Sequence, residues 1–142
     1  MRDSLRVTLL LVLMLTIGST FAINKRQAQA LEQSQNRFAA MVRWGEIETA
    51  WQMVDPKYRA EHPLDDQQLE RHQQIRVTSY RPIITNPLND NAIERIIEIR
   101  MVNTQDMVER TFRYREQWRW EKNDKRWWQI SGLPDFWNDQ PS

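Results

Sequence analysis

The sequence predicts an α+β domain in which helices come first and pack on a curved, antiparallel four-stranded sheet. Two observations support this prediction. Residues 24–54 place apolar side chains at helical spacing, whereas from Ile75 onward the apolar side chains recur at every second residue. Short segments rich in Asn, Asp and Pro separate the alternating stretches, which is typical of strands joined as an antiparallel meander.

The first half of the chain is predicted to form three helices. Residues 24–44 contain good helix formers and no proline, and they bring Leu31, Phe38 and Val42 near one face. Gly45 separates them from a second short helix at 46–54, which Asp55-Pro56 is predicted to end. After a loop at 57–64, Asp65 and Gln68 have the spacing of a capping box, which predicts a third helix at 66–73.

The second half is predicted to form four strands. They are expected at residues 74–82, 92–102, 107–121 and 126–131, with a turn assigned to 84–91. In the second strand, Ile93, Ile97, Ile99 and Met101 fall on one side and Ile96 on the other.

The third strand has one aromatic side and one polar side. Five of its residues share the apolar side, namely Val108, Phe112, Tyr114, Trp118 and Trp120, and Arg110 and Glu116 interrupt them. At ~3.3 Å per residue the strand would be roughly 50 Å long, so we expect a strong twist or a bulge within it.

The amino terminus is predicted to be an export signal or a membrane anchor. Arg2 and Arg6 precede an apolar run at residues 7–17 and a small-residue exit, so cleavage is expected after Ala22, with a second possible site after Ala30. Alternatively, residues 5–23 remain as a membrane anchor, because they nearly span a bilayer core of about 30 Å. Either form exports the domain, so the expected location is the bacterial cell envelope, as a soluble periplasmic protein or one tethered to the inner membrane.

Composition excludes several kinds of site. The chain has no cysteine, which removes disulfides, thiolate metal sites and cysteine nucleophiles. Its glycines are only three, so no glycine-rich phosphate loop is expected, and we predict no cofactor. From Leu31 onward there are 16 basic and 18 acidic residues, a balance that argues against nucleic acid as a partner.

The order of elements resembles the NTF2-like, or cystatin-like cone, superfamily. The resemblance rests on the helix pair broken at 44–46, the strand near 75–80, the long strand ending in 117–120 and the closing segment 126–134. It implies a conical cavity between sheet and helices. Members include isomerases, dehydratases, binding domains and periplasmic domains of secretion machines. The expected organisation is a leader at 1–22, a helical linker at 23–35, the domain at 36–134 and a tail at 135–142.

Two groups of residues on the long strand are candidate sites. On its apolar side, Arg110 and Glu116 could form the polar floor of a cavity that orients a ligand among aromatic rings, which makes Arg110, Tyr114, Glu116, Trp118 and Trp120 the candidate binding residues. The alternative is that a bulge or the strand ends return both charges to water. On the polar side, a candidate partner surface comprises Arg113, Arg115 and Arg119, with Arg95 or Arg100 adjacent. Its alternative is a solvated face whose arginines pair with Glu94, Glu98 and Glu109.

An enzyme would need a general base, which Glu116, Glu94 or Glu98 could supply, with Tyr80 or Tyr114 as a phenol donor. Neither tyrosine aligns with a family motif, so the sequence assigns no catalytic residue. A metal site is not expected either, because the spacing of Glu61, His62, Asp65, Asp66 and His72 matches no ligand frame.

The sequence therefore favours a noncatalytic envelope domain that binds an apolar small molecule or an envelope protein. The alternatives are a small cavity enzyme for proton transfer and a subunit of a membrane-spanning secretion assembly.

Overall fold

The computed structural model describes residues 23–137, and within them helices precede an antiparallel sheet, as the sequence predicts. Predictions about 1–22 and 138–142, including the signal or anchor, lie outside the described residues. The sheet order is β1-β2-β3-β4 with every pair antiparallel, which confirms the α+β class and the meander. The elements are α1 (Lys25–Trp44), α2 (Ile47–Trp51), α3 (Pro56–Glu61), α4 (Asp66–Gln73), β1 (Ile75–Asn89), β2 (Ala92–Asn103), β3 (Glu109–Glu121) and β4 (Arg126–Gln129).

Helix α1 is the longest element and covers the inner face of the sheet. Asn24 and Gln27 form a capping box at its start, and it ends at Gly45, whose φ of 75° lies in the left-handed region that glycine adopts without strain. Leu31 is buried in the core, and Ala30 and Ile23, at the start of the segment, pack against it as partly buried side chains. The Trp127 indole N–H also donates to the Gln27 carbonyl at 2.9 Å, so residues of the segment expected as a linker contact the domain. No helix in the described part of the chain is long and apolar enough to cross a membrane.

The predicted loop at 57–64 contains a helix, α3, which is a correction to the sequence analysis. The Asp55 carboxylate accepts from the Lys57 backbone N–H at 2.9 Å, and Pro56 occupies the first helical turn. A capping Asp followed by Pro starts a helix as readily as it ends the preceding one, because proline lacks only a donor that the first turn leaves unused. The capping box predicted for α4 is present at Asp65 and Gln68.

Strand β1 is longer than predicted and extends through the tract assigned to a turn, as far as Asn89. Three register shifts against β2 interrupt it, at Val77/Ser79, Pro82/Ile84 and Pro87/Asn89. Pro82 and Pro87 remain paired with Ile97 and Ile93, each next to a shift, and an edge strand tolerates them there although proline cannot donate to the ladder.

The bulge expected in β3 is absent from its pairing with β2, where the register runs without a shift from Ala92↔Arg119 to Val102↔Glu109. The irregularities lie in β1 instead. An unbroken register keeps every even-numbered residue of β3 on the inner face. Trp118 is fully buried there, and Phe38 of α1 meets it edge to face with ring centroids 5.7 Å apart.

Candidate functional site

The inner face of β3 holds a buried ion pair. Glu116 is 0% exposed and lies opposite Arg95 of β2. The Arg95 guanidinium donates to Oε1 of Glu116 through Nη2 at 2.6 Å and Nε at 3.0 Å, and the Trp118 indole N–H donates to the same oxygen at 2.5 Å. The Tyr80 hydroxyl donates to Oε2. Both carboxylate oxygens are therefore occupied by donors from three strands.

Arg95 lies on the inner face, not beside the arginines of the outer face, which corrects the sequence analysis. Its register partner Glu116 is inside, and so are its neighbours Ile93 and Ile97. Strict alternation along β2 places Arg95 on the same side of the strand as these isoleucines. The sequence pattern alone could therefore have predicted that Arg95 meets Glu116 inside the domain.

The contact between Tyr80 and Glu116 joins two residues that the enzyme alternative named as phenol and carboxylate. Burial raises the pKa of the Tyr80 hydroxyl well above its usual value, and the Glu116 charge raises it further, so Tyr80 stays a donor. Glu116 is fully buried and is not part of the walls of the largest pockets described for residues 23–137.

The candidate binding residues do not form one site. Glu116 and Trp118 are in the core, whereas Arg110 is exposed near the beginning of β3. Trp120 is half-buried against Trp127, with ring centroids 5.6 Å apart. Tyr114 alone lines a pocket.

That pocket, which we call the edge groove, has a volume of about 630 Å³; it lies along residues 112–117 of β3 and reaches Ile96 of β2 and Ile84 of β1. Phe112 and Tyr114 line it from the inner face of the strand. Arg113, Arg115 and the outer-face Ile96 line it from the other side. Its opposite wall consists of Tyr58 from α3 and the segment that follows β4, chiefly Leu133 and Asp135.

Tyr114 fixes the wall of the edge groove. Its hydroxyl donates to the Gly132 carbonyl at 2.5 Å and accepts from the Gln129 amide at 2.5 Å. The same Gln129 side chain also bonds both backbone groups of Gly132, at 2.7 and 2.8 Å. Gly132 has a φ of 79°, and a Cβ added there would collide with the Tyr58 ring, so glycine is required at this point of the wall.

Neither a protein-family model nor a curated protein matches this chain. The function must therefore be argued from the groove and its surroundings.

A second pocket of about 430 Å³, the aromatic pocket, adjoins the edge groove and shares Tyr58, Leu133 and Asp135 with it. Tyr58 meets Trp51 edge to face at 6.2 Å and stacks on His62 at 4.3 Å. Tyr58 was not predicted as a site residue, because residues 57–64 were expected to form a loop. The Asp55 cap ahead of a helical segment was the signal that could have found it.

The outer-face arginines differ in their partners. Arg119 is paired with Asp55 at 2.8 Å, and Arg115 is loosely paired with Glu94 at 3.7 Å. Arg81 pairs with Glu98 at 2.7 Å and Arg100 with Glu109 at 3.5 Å, so much of this face is a solvated network of opposite charges. Within residues 23–137, Arg113 makes no ion pair within 4 Å; it lies opposite Glu98, whose pKa its charge helps to lower, and it lines the edge groove.

His72 of α4 is 9% exposed and lies against two aromatic rings, Phe136 at 5.4 Å and Trp137 at 5.3 Å. Its Nδ1 has no hydrogen-bond partner among residues 23–137, and burial lowers the pKa of the imidazole to about 4 despite the opposing charge of Asp135. Among the described residues, no group of three His, Cys, Asp or Glu side chains is placed to hold a metal.

Burial of His72 predicts that the domain loses stability in mild acid. Between the ordinary histidine pKa near 6.5 and the folded value of about 4, the unfolded chain binds a proton that the folded chain does not. The free energy of unfolding should therefore fall as pH falls, by up to about 1.4 kcal/mol per pH unit. Urea titrations at several pH values between 7 and 4 measure this. His72→Gln should remove that part of the slope, whereas replacement of the exposed His62 by Gln should leave it; equal slopes in both variants would contradict the assignment.

Proposed function

We propose that this chain is a noncatalytic binding module of the NTF2-like type, which residues 1–22 deliver to the bacterial cell envelope. The observation that carries the proposal is the edge groove. Its volume is about 630 Å³, and aromatic rings and arginines line it together. Side-chain hydrogen bonds from Tyr114 and Gln129 fix the position of its wall. Pockets with this mixture of apolar surface and a few placed polar groups are the usual sites of recognition.

The cavity-enzyme alternative has one observation in its favour, the contact between Tyr80 and Glu116. Its weakness is that the Glu116 carboxylate is fully buried and already accepts from Arg95 and Trp118. A general base must reach the proton that it abstracts. Binding without catalysis is therefore the better-supported function, and membership of a secretion assembly is one form that it could take.

Photo-crosslinking in the producing cells tests the proposal. Phe112 lines the edge groove, and benzoylphenylalanine is close to it in shape. Trp44, which is 79% exposed on α1 and is not part of the groove wall, provides the control position for the same photoreactive residue. We expect a discrete crosslinked product from position 112, recovered in the periplasmic or membrane fraction, and none from position 44.

Identification of the product by mass spectrometry then names the partner. Absence of any product at position 112, or the same set of products at both positions, would argue against the groove as a binding site.

A further inference from the structure

The side of β3 that faces the edge groove carries outward-directed backbone groups. The Gln117 N–H donates to Ser131 Oγ at 3.0 Å and its carbonyl accepts from the Ile130 N–H at 2.9 Å, so both groups point away from β2. In contrast, the Val108 carbonyl accepts from Asn103 at 3.1 Å, toward β2. Because the direction alternates along a strand, the backbone groups of Thr111, Arg113 and Arg115 share the outward direction of Gln117.

These outward groups are not covered by another strand of the described domain. Strand β4 pairs with β3 only at residues 118–121, and the chain then crosses at Ser131 to form the far wall of the groove. Over residues 109–115, β3 is thus an edge strand along the part of the chain that the structure describes. Such an edge is a template for an added strand.

The opposite edge of the sheet is protected in a way that this one is not. Strand β1 carries Pro82 and Pro87 and three register shifts, which are devices that block edge-to-edge pairing. The 109–115 edge contains no proline, and its register against β2 is regular. Because residues 109–115 of β3 lack the prolines and register shifts of β1, this edge is the one that can form backbone hydrogen bonds with an added strand.

Charge indicates what kind of strand fits. Two arginines and one carboxylate, Asp135, line the edge groove. Arg113 makes no ion pair within 4 Å among the described residues, because Glu98 opposite it is bonded to Arg81. Arg115 is 67% exposed and lies 3.7 Å from its partner Glu94. A second copy of this chain would bring another arginine-rich edge against this one, which repulsion disfavours. An acidic segment would gain charge-assisted hydrogen bonds.

From this geometry we infer that an extended acidic segment of a partner protein adds to β3 along residues 109–115 and places its carboxylates beside Arg113 and Arg115. Its apolar side chains lie against Phe112 and Tyr114. This inference rests on the proposed binding function and specifies the partner and the mode of recognition, in which backbone hydrogen bonds give affinity and alternate side chains give specificity.

The test measures binding of a defined probe to the full-length protein in mild detergent. The probe is a fluorescent nine-residue peptide of alternating Glu and Val with blocked ends, and anisotropy reports binding. Thr111→Pro removes one outward N–H without touching the ladder with β2, and Thr111→Val is its matched control because it keeps that N–H. We expect Thr111→Val to bind as the wild type does, and Thr111→Pro to bind at least tenfold more weakly.

Two further measurements keep the inference falsifiable if Thr111→Pro alters the fold. A peptide methylated at alternate backbone nitrogens should lose binding to the wild-type protein. Arg113→Glu should weaken binding at least tenfold and should instead favour a peptide in which Lys replaces Glu. Equal binding of both Thr111 variants, or no binding of the Glu peptide by the wild type, would overturn strand addition.

Self-association is measured in parallel by sedimentation. The sedimentation experiment could reveal a dimer that dissociates in Thr111→Pro but is not displaced by the Glu peptide. That result would show that a second copy of the chain pairs with this edge, and it would contradict the proposal of an acidic partner. Crosslinking from position 112 can also be repeated in the Thr111→Pro variant. If the crosslinked product is unchanged, the proposed binding function remains supported and strand addition is wrong. If position 112 gives no product at all, the proposed function itself fails.

Discussion

Glu116→Gln should destabilise the domain by about 3–5 kcal/mol, because it leaves the Arg95 guanidinium charged and without a counter-ion in the core. Gln keeps an amide oxygen that can accept from the Trp118 indole N–H. The decrease in the free energy of unfolding therefore measures mainly the lost negative charge beside Arg95. Urea unfolding at neutral pH measures it. Arg81→Gln is the control, because the pair of Arg81 with Glu98 lies in solvent, where an ion pair contributes little to stability.

The double variant Arg95→Met, Glu116→Gln separates charge from packing. Removal of both charges should cost less than Glu116→Gln alone, because no unpaired ion remains buried. A double variant whose loss equals the sum of the two single losses would show that the two groups act independently. That result would contradict the ion pair.

Phe38→Ala should also cost about 3–5 kcal/mol, because it opens a cavity where α1 meets the sheet. Phe38 is 0% exposed and packs edge to face on Trp118, so the change removes the principal contact between the helix and β3. Trp44→Ala on the same helix is the matched control. That ring is 79% exposed, and its removal should change the free energy of unfolding by less than about 0.5 kcal/mol.

Chemical unfolding followed by far-ultraviolet circular dichroism measures both variants. Similar stabilities for the two variants would mean that α1 is not held by its buried face.

Local signals in the sequence were sufficient for most of the architecture. The alternation of β3, the helical spacing of Leu31, Phe38 and Val42, and the capping box at Asp65 each depend on residues within one element. Their agreement with one another is what makes the order of elements predictable.

The misplaced elements depended on context outside the local pattern. Asp55-Pro56 was expected to end the second helix, whereas α2 already ends at Trp51 and Pro56 begins α3. The tract at 84–91 reads as a turn by composition, yet β2 provides a partner that draws it into β1 through register shifts. In β3 the same partner kept the register regular, and the expected bulge did not form.

The candidate site was predictable only in part, because register decides which side chains meet. Tyr80 and Glu116 were each named from the sequence, but their contact requires β1, β2 and β3 to be aligned. The edge groove needs α3 and the chain beyond β4 as its far wall, and neither position follows from the periodicity of β3.

The hydrogen bond from Trp127 to Gln27 joins the two ends of the described domain across 100 residues. During synthesis α1 emerges first, and its docking surface is completed only with β3 and β4. At about 5–20 residues per second, the ribosome needs on the order of 4–17 s to extend from Trp44 to Trp127. For that interval the helix lacks the rings that cover its apolar face, so this face stays exposed until β3 and β4 have been made.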